Sequence, residues 1–158
     1  MDRTTFLPMD DKHLGQFGEN TARAFRPEGW MGGRPVWRLT LECLQRVTAV
    51  RDRVWRAEKS GAAEWLLDNW YLAQREGRDG AAAFRKARRL RYIVRDRVRR
   101  PLVLELARAF VWGAGADAGP QRLELFLERA QGAQPLTERE LSLFVPALKC
   151  ALVERLEF

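Results

Sequence analysis

The sequence predicts an all-α protein, a single bundle of six or seven helices. Apolar residues recur at steps of three and four in nearly every segment, and no alternating run of Val, Ile or Thr is long enough to make a strand. Breaks between the periodic segments are marked by Gly and Pro. With 158 residues and 46% hydrophobic content, the chain suits one globular domain that buries roughly two thirds of its unfolded surface.

Residues 1–9 are expected to be disordered or loosely ordered, and residues 10–158 to form the bundle. The first helix runs from Asp10 or Asp11 to about Ala24, with an aspartate cap and Leu14, Phe17 and Thr21 on one face; Gly15 and Gly18 weaken it. Phe25 to Arg34, carrying Pro27, Gly29, Gly32 and Gly33, reads as a loop, and Pro35 opens the second helix. Its stripe is Val36, Leu39, Cys43, Val47, Val50 and Val54, widened by Trp37, Leu41, Leu44 and Trp55. After a break at Ser60 and Gly61, Ala62 to Glu76 is apolar almost all round, which predicts a central helix ended by Gly77 to Gly80. A basic amphipathic helix is expected from Ala81 to about Arg99, with Ala83, Ala87, Leu90, Val94 and Val98 inward. Pro101 then starts a helix through Trp112, and Gly113 to Pro120 is a turn. Gln121 to Gln131 forms a short helix on Leu123, Phe126, Leu127 and Ala130. Thr137 and Glu140 make a capping box that opens the last helix, which Pro146 should kink.

Composition removes several classes of function. Cys43 and Cys150 stand too far apart, and are too few, for a disulfide framework or a four-cysteine zinc site; both are expected to be reduced and buried. The longest nearly apolar stretch, Leu141 to Val153, contains Pro146 and Lys149 and falls short of the ~18 residues of a membrane span. A soluble, cytoplasmic chain is the expectation. His13 is the single histidine, so neither a Ser-His-Asp triad nor a multi-histidine metal site can be built. Gly113, Gly115 and Gly119 lack the strand and the Lys-Ser or Lys-Thr of a phosphate loop. Glu64 and Asp68 stand one turn apart but find no third ligand at helical spacing. No catalytic, cofactor-binding or metal site is expected.

Two features ask for partners. Asp68 and Asn69 sit inside Trp-Leu-Leu-Asp-Asn-Trp-Tyr, where polar groups buried without hydrogen bonds would cost several kcal/mol. They should tie the helix to a neighbour or face a ligand. The net charge of +7 concentrates in Arg85, Lys86, Arg88, Arg89, Arg91, Arg95, Arg97, Arg99 and Arg100, opposed there by Asp96 alone. Such cations on one helix repel unless an anion is near, whether a membrane surface, an acidic partner or nucleic acid; otherwise the face is solvated or paired within the protein. Nucleic acid is disfavoured, because no recognition motif accompanies the patch and the aromatics are not interleaved with it.

Ala63-Glu64-Trp65-Leu66-Leu67-Asp68-Asn69 resembles the Glu-Trp-Leu-Leu-Asp-Asn segment in the N-terminal region of the cyclic β-1,2-glucan synthases. A longer match follows: Arg100-Pro101 with Val103, Leu104, Leu106 and Ala107, then Leu123 to Ala130, Pro135-Leu136-Thr137, Glu140-Leu141, Pro146 and Ala151-Leu152-Val153-Glu154. In the family these read as a Pro-Leu-Thr turn, a Glu-Leu-Trp, a proline and an Ala-Leu-Ile-Glu helix, in the same order. The chain departs from that pattern at Ser142-Leu143-Phe144 and at Glu154-Arg155, and Ala81 to Arg99 replaces a shorter stretch.

Family members are large inner-membrane enzymes that polymerise glucose from UDP-glucose in a membrane-embedded glycosyltransferase domain, then trim and cyclise the product. Those domains lie downstream of the matched region, so no catalytic residue carries over. The resemblance implies a non-catalytic cytoplasmic module, possessing the motif residues Glu64 to Asn69, Thr137, Glu140 and Pro146, that packs against the glycosyltransferase or membrane domains at the inner face of the membrane. By family reckoning the chain stops in mid-helix at Leu156-Glu157-Phe158, which implies a fragment. The alternative is a stand-alone adaptor that binds an anionic surface through Arg85, Lys86, Arg88, Arg89, Arg95 and Arg99.

Overall fold

Leu102 to Ala107 are buried without interruption, and the helix they open is the centre of half the protein. The computed structural model describes residues 8–56, 61–115 and 117–156; at residues 54–56, 61–63 and 65–67 it describes the backbone alone. In chain order the elements are α1 (Asp11–Ala24), β1 (Gly29–Met31), α2 (Arg34–Arg56), α3 (Gly61–Arg85), β2 (Leu90–Arg95), β3 (Val98–Pro101), α4 (Leu102–Ala114), α5 (Pro120–Ala133), α6 (Glu138–Ser142) and α7 (Phe144–Leu156). The class is all-α, with seven helices among the described residues. One small sheet is added, which the helical periodicity did not predict: three antiparallel strands in the order β1-β2-β3. The chain divides into two compact units, one built from the segments up to Met31 and from Leu90 to Phe144, the other from Gly32–Arg89 and from Val145 onward.

In the first unit, Asp10 caps α1 as expected, its carboxylate accepting the His13 backbone N–H at 2.8 Å. Gly15 and Gly18 lower helix propensity but let α1 approach α5 closely. A Cβ on Gly18 would lie 2.8 Å from the Phe126 ring, and one on Gly15 would touch Leu125 and Arg129. Arg129 also pairs with Glu19 and holds that carboxyl below its ordinary range. Phe126 meets Phe110 of α4 edge to face, with centroids 5.4 Å apart and planes at 61°. The buried set of α4, Leu102 to Ala107 with Phe110, Val111, Gly113 and Ala114, makes it the central helix. Of the residues that made the Trp65 helix read as apolar all round, Trp70 is buried while Tyr71 and Leu72 of α3 are 73% and 46% exposed, and the side chains of Trp65, Leu66 and Leu67 lie outside the described residues.

The expected basic helix does not exist over its full length. Helix α3 stops at Arg85, and residues 90–101 form a hairpin instead. Tyr92-Ile93-Val94 is a run of strand formers, and an extended chain sends successive arginines to opposite faces, relieving the repulsion that a helix would concentrate. Arg95 pairs with Val98 across a two-residue turn in which Asp96 and Arg97 have φ of 53° and 65°. Positive φ at both positions is the mark of a type I′ hairpin turn. The usual Asn-Gly or Asp-Gly signal is here Asp-Arg, so the turn was hidden. On the other edge β1 joins β2 in the register Gly29↔Tyr92 and Met31↔Leu90, within what was read as a loop.

In the second unit, α2 buries Val36, Cys43, Leu44 and Val47 much as its periodicity predicts, although Leu39 is partly exposed. The correction lies in α3, which runs straight through Gly77 and Gly80. A Cβ on Gly77 would lie 2.7 Å from Val153 Cγ2, and one on Gly80 would lie 2.8 Å from Lys149 Cβ and 2.9 Å from the Pro146 carbonyl oxygen. These glycines seat α7 on α3; they do not end the helix. Lys149 Nζ completes the contact with an ion pair to Glu76 at 2.7 Å. Pro146 was expected to kink one long helix. The break instead falls at Leu143, between α6 and α7, and Pro146 sits in the first turn of α7, where its missing N–H costs no helical hydrogen bond.

Replacing Gly80 by Ala separates propensity from packing. Propensity alone would stabilise α3 by about 1 kcal/mol, whereas the methyl group pressed on the α7 backbone should destabilise the protein by about 1–3 kcal/mol. Urea midpoints of Gly80→Ala and wild type decide the sign. A raised midpoint would contradict the close seating of α7.

Candidate functional site

Alternation along β2 sends Arg91, Ile93 and Arg95 to one face of the sheet, and the register adds Val98 and Arg100 of β3 to it. Tyr92, Val94 and Arg99 share the other face. Each face treats its arginines differently.

On the first face, two buried carboxylates collect the guanidinium groups. Arg91 donates from Nε to Glu140 Oε1 at 2.7 Å and from Nη2 to Oε2 at 2.9 Å, a bidentate clamp; the same Nη2 donates to the Pro135 carbonyl at 2.7 Å. Glu140 is wholly buried, and its backbone N–H donates to Thr137 Oγ1 at 3.2 Å, so Thr137 caps α6 as the capping box predicts. Its carboxylate does not return to the cap, because Arg91 holds it. Glu105, buried in the first turn of α4, takes Arg108 Nη1 at 2.6 Å and Arg95 Nη1 at 3.4 Å, with Arg100 Nη1 at 3.7 Å. Three guanidinium groups surround this one carboxylate.

On the second face, the Arg99 guanidinium stacks over the Tyr92 ring at 5.0 Å. Arg97 at the turn is exposed, and among the described residues it makes no ion pair or hydrogen bond. The hairpin therefore carries cations of two kinds: those neutralised inside the fold, and those of the tip that face solvent.

The other expected residues scatter. Glu64 and Asp68 are exposed, Asn69 is half-buried and partnered, and Asp68 does not meet the burial expected of it. The rule that a polar group in an apolar helix must find partners was sound, but its true subject is Glu105 in Leu-Val-Leu-Glu-Leu-Ala. Arg85 lies over the Trp37 ring at 5.0 Å, while Lys86, Arg88 and Arg89 are exposed in the segment that follows α3. These four belong to the second unit, and Arg95 and Arg99 to the first, so the six do not line one helix face. His13 is an exposed residue whose Nδ1 lies 2.7 Å from the Asp10 carboxylate, beside an open cleft of about 400 Å³ lined also by Met9, Gln16, Phe17 and Asn20. Gly113 is part of α4, packed on Leu14 and Phe17. Among the described residues no group of three His, Cys, Asp or Glu is placed to hold a metal ion, and no helix is long and apolar enough to cross a membrane. Cys43 and Cys150 are buried thiols outside any disulfide, and burial pushes the Cys150 thiol up to about 11.

No protein-family model, no curated protein and no solved structure matches this chain.

Two outcomes follow from this chemistry. Glu140→Gln leaves Arg91 without its counter-charge and should destabilise the protein by about 3 kcal/mol in urea melts, whereas Arg91→Met with Glu140→Leu should recover most of that loss. A silent Glu140→Gln would remove the clamp from any structural role. In an Ellman titration at neutral pH, both native thiols should resist reaction over minutes and both should react in denaturant; rapid native labelling would contradict their burial.

Proposed function

We propose that this chain is a non-catalytic helical module of a cyclic β-1,2-glucan synthase-like glycosyltransferase, cytoplasmic and held near the inner face of the membrane against the catalytic or membrane domains of that enzyme. One observation carries the reading: several residues of the longer stretch of resemblance are core or capping positions of this fold, although Glu64, Asp68, Leu141 and Leu152 are exposed. Pro101 precedes the first turn of α4, and Val103, Leu104, Leu106 and Ala107 are its buried face. Leu136, Ala151 and Val153 are core, Thr137 caps α6, and Glu140 is the buried partner of Arg91. A likeness carried by core and capping positions supports a shared fold more strongly than one carried by the surface. Glu105 and Glu140, the two most deeply buried carboxylates described, are saturated by guanidinium groups, which suits folding and not proton transfer.

A second reading, a stand-alone adaptor for an anionic surface, is favoured by the exposed Arg97, unpaired among the described residues, and the exposed Arg99 at the hairpin tip. Both readings use the hairpin as an attachment, and they differ in whether the attachment belongs to a larger enzyme. An antibody raised against the chain separates them by the size of the native product in fractionated source cells. A band far above 18 kDa in the membrane fraction is the expected outcome. A soluble band near 18 kDa would overturn the synthase reading in favour of the adaptor, and turnover of UDP-glucose by the pure chain would overturn the non-catalytic character of both.

A further inference from the structure

The tip of the β2–β3 hairpin sacrifices stability to display a charge. The second residue of a type I′ turn is preferentially Gly, because positive φ brings the Cβ of any other residue against the backbone. Here that position is Arg97, at φ 65°, with its guanidinium in solvent. Among the described residues of the first unit, none pairs with that charge. Strain that the surrounding contacts do not explain points to a function outside the fold.

The flanking pairs narrow the partner. Val94 lies opposite Arg99 and Val98 opposite Arg95, so each face of the tip presents one valine beside one arginine. The valines are 45% and 50% exposed, and the Arg95 side chain is 62% exposed even while it reaches Glu105. Asp96 is the only opposing charge in the turn. A matching partner must offer anions and, within a side chain's length, an apolar medium on both sides of a thin wedge. Nucleic acid offers phosphates but reads single strands through stacked aromatics, and Tyr92, the aromatic beside this tip, is already covered by Arg99. A folded acidic protein needs a patch on the order of 800 Å² per partner for stable recognition, more than one hairpin turn presents. A bilayer needs no such patch, because its headgroups accept cations individually and its acyl boundary accepts small apolar groups.

We infer that the β2–β3 tip docks on an anionic lipid bilayer, with Arg97 and Arg99 on lipid phosphates and Val94 and Val98 at the acyl boundary. This rests on reading the hairpin as an attachment surface, and names what it attaches to.

Flotation of the full chain with vesicles tests it, using phosphatidylcholine alone and equal parts phosphatidylcholine and phosphatidylglycerol, with heparin and a single-stranded oligonucleotide as soluble polyanions. Binding should require phosphatidylglycerol and weaken with salt. Arg97→Gln should lower it about fivefold. Arg97→Gly should lower it equally while raising Tm by roughly 2–4 °C, since relief of the turn stabilises a protein that has lost its contact. Val94→Ser with Val98→Ser should remove the part of binding that survives high salt. Equal binding to heparin or the oligonucleotide, indifferent to the valines, would overturn the bilayer and leave the attachment reading standing. Binding to none of the anionic probes would overturn both, and unchanged vesicle binding by Arg97→Gln would overturn the tip.

Discussion

Two carboxylates withdrawn from water decide how the first unit is arranged. An isolated buried carboxylate is several kcal/mol too costly to keep charged, so Glu105 and Glu140 each require cations delivered from elsewhere in the chain. Arg91 and Arg95 supply them because β2 is extended. Four residues of strand span about 13 Å, enough to reach carboxylates on two different helices, whereas four residues of helix span about 6 Å. The same alternation turns Tyr92, Val94 and Arg99 away from those carboxylates. Sheet register, the position of α6 and the free face of the hairpin are thus consequences of one pairing problem.

Local chemistry was legible in the sequence, and chemistry that depends on a distant neighbour was not. The Asp10 cap of α1, the buried Val36, Cys43 and Val47 of the α2 stripe and the Thr137 cap of α6 each depend on residues a turn apart, and all appear in the structure. The hairpin was hidden because its turn is Asp-Arg, and because Leu90, Val94 and Val98 also satisfy a four-residue period. Gly77 and Gly80 looked like helix breakers since propensity sees only the helix that contains them; Val153, Lys149 and Pro146 reveal why they are glycines. The partners of Glu105 arrive from the neighbouring strands and from α4 itself, and no local spacing announces the strand arginines.

The arginine excess also reads differently once the fold is known. Counted along the chain, it resembles one long binding surface. In space, Arg91, Arg100 and Arg108 stabilise the interior of the first unit, Arg99 lies on an aromatic ring, and what remains outward at the hairpin is a short cationic tip. Net charge therefore overstates the surface available to a partner. Its placement is the informative quantity.

The interleaving of the two units has a consequence for synthesis. Helix α1 leaves the ribosome early, but Leu125, Phe126 and Arg129, against which it packs, follow about a hundred residues later. At translation rates of about 5–20 residues per second, the apolar face of α1 waits roughly 5–20 s for its partner. The second unit waits as well, since Val153 and Lys149 of α7 follow Gly77, Gly80 and Glu76 by about seventy residues. Each unit is split in sequence by a segment of the other, so each leaves an apolar face unpaired until a segment far along the chain has been made.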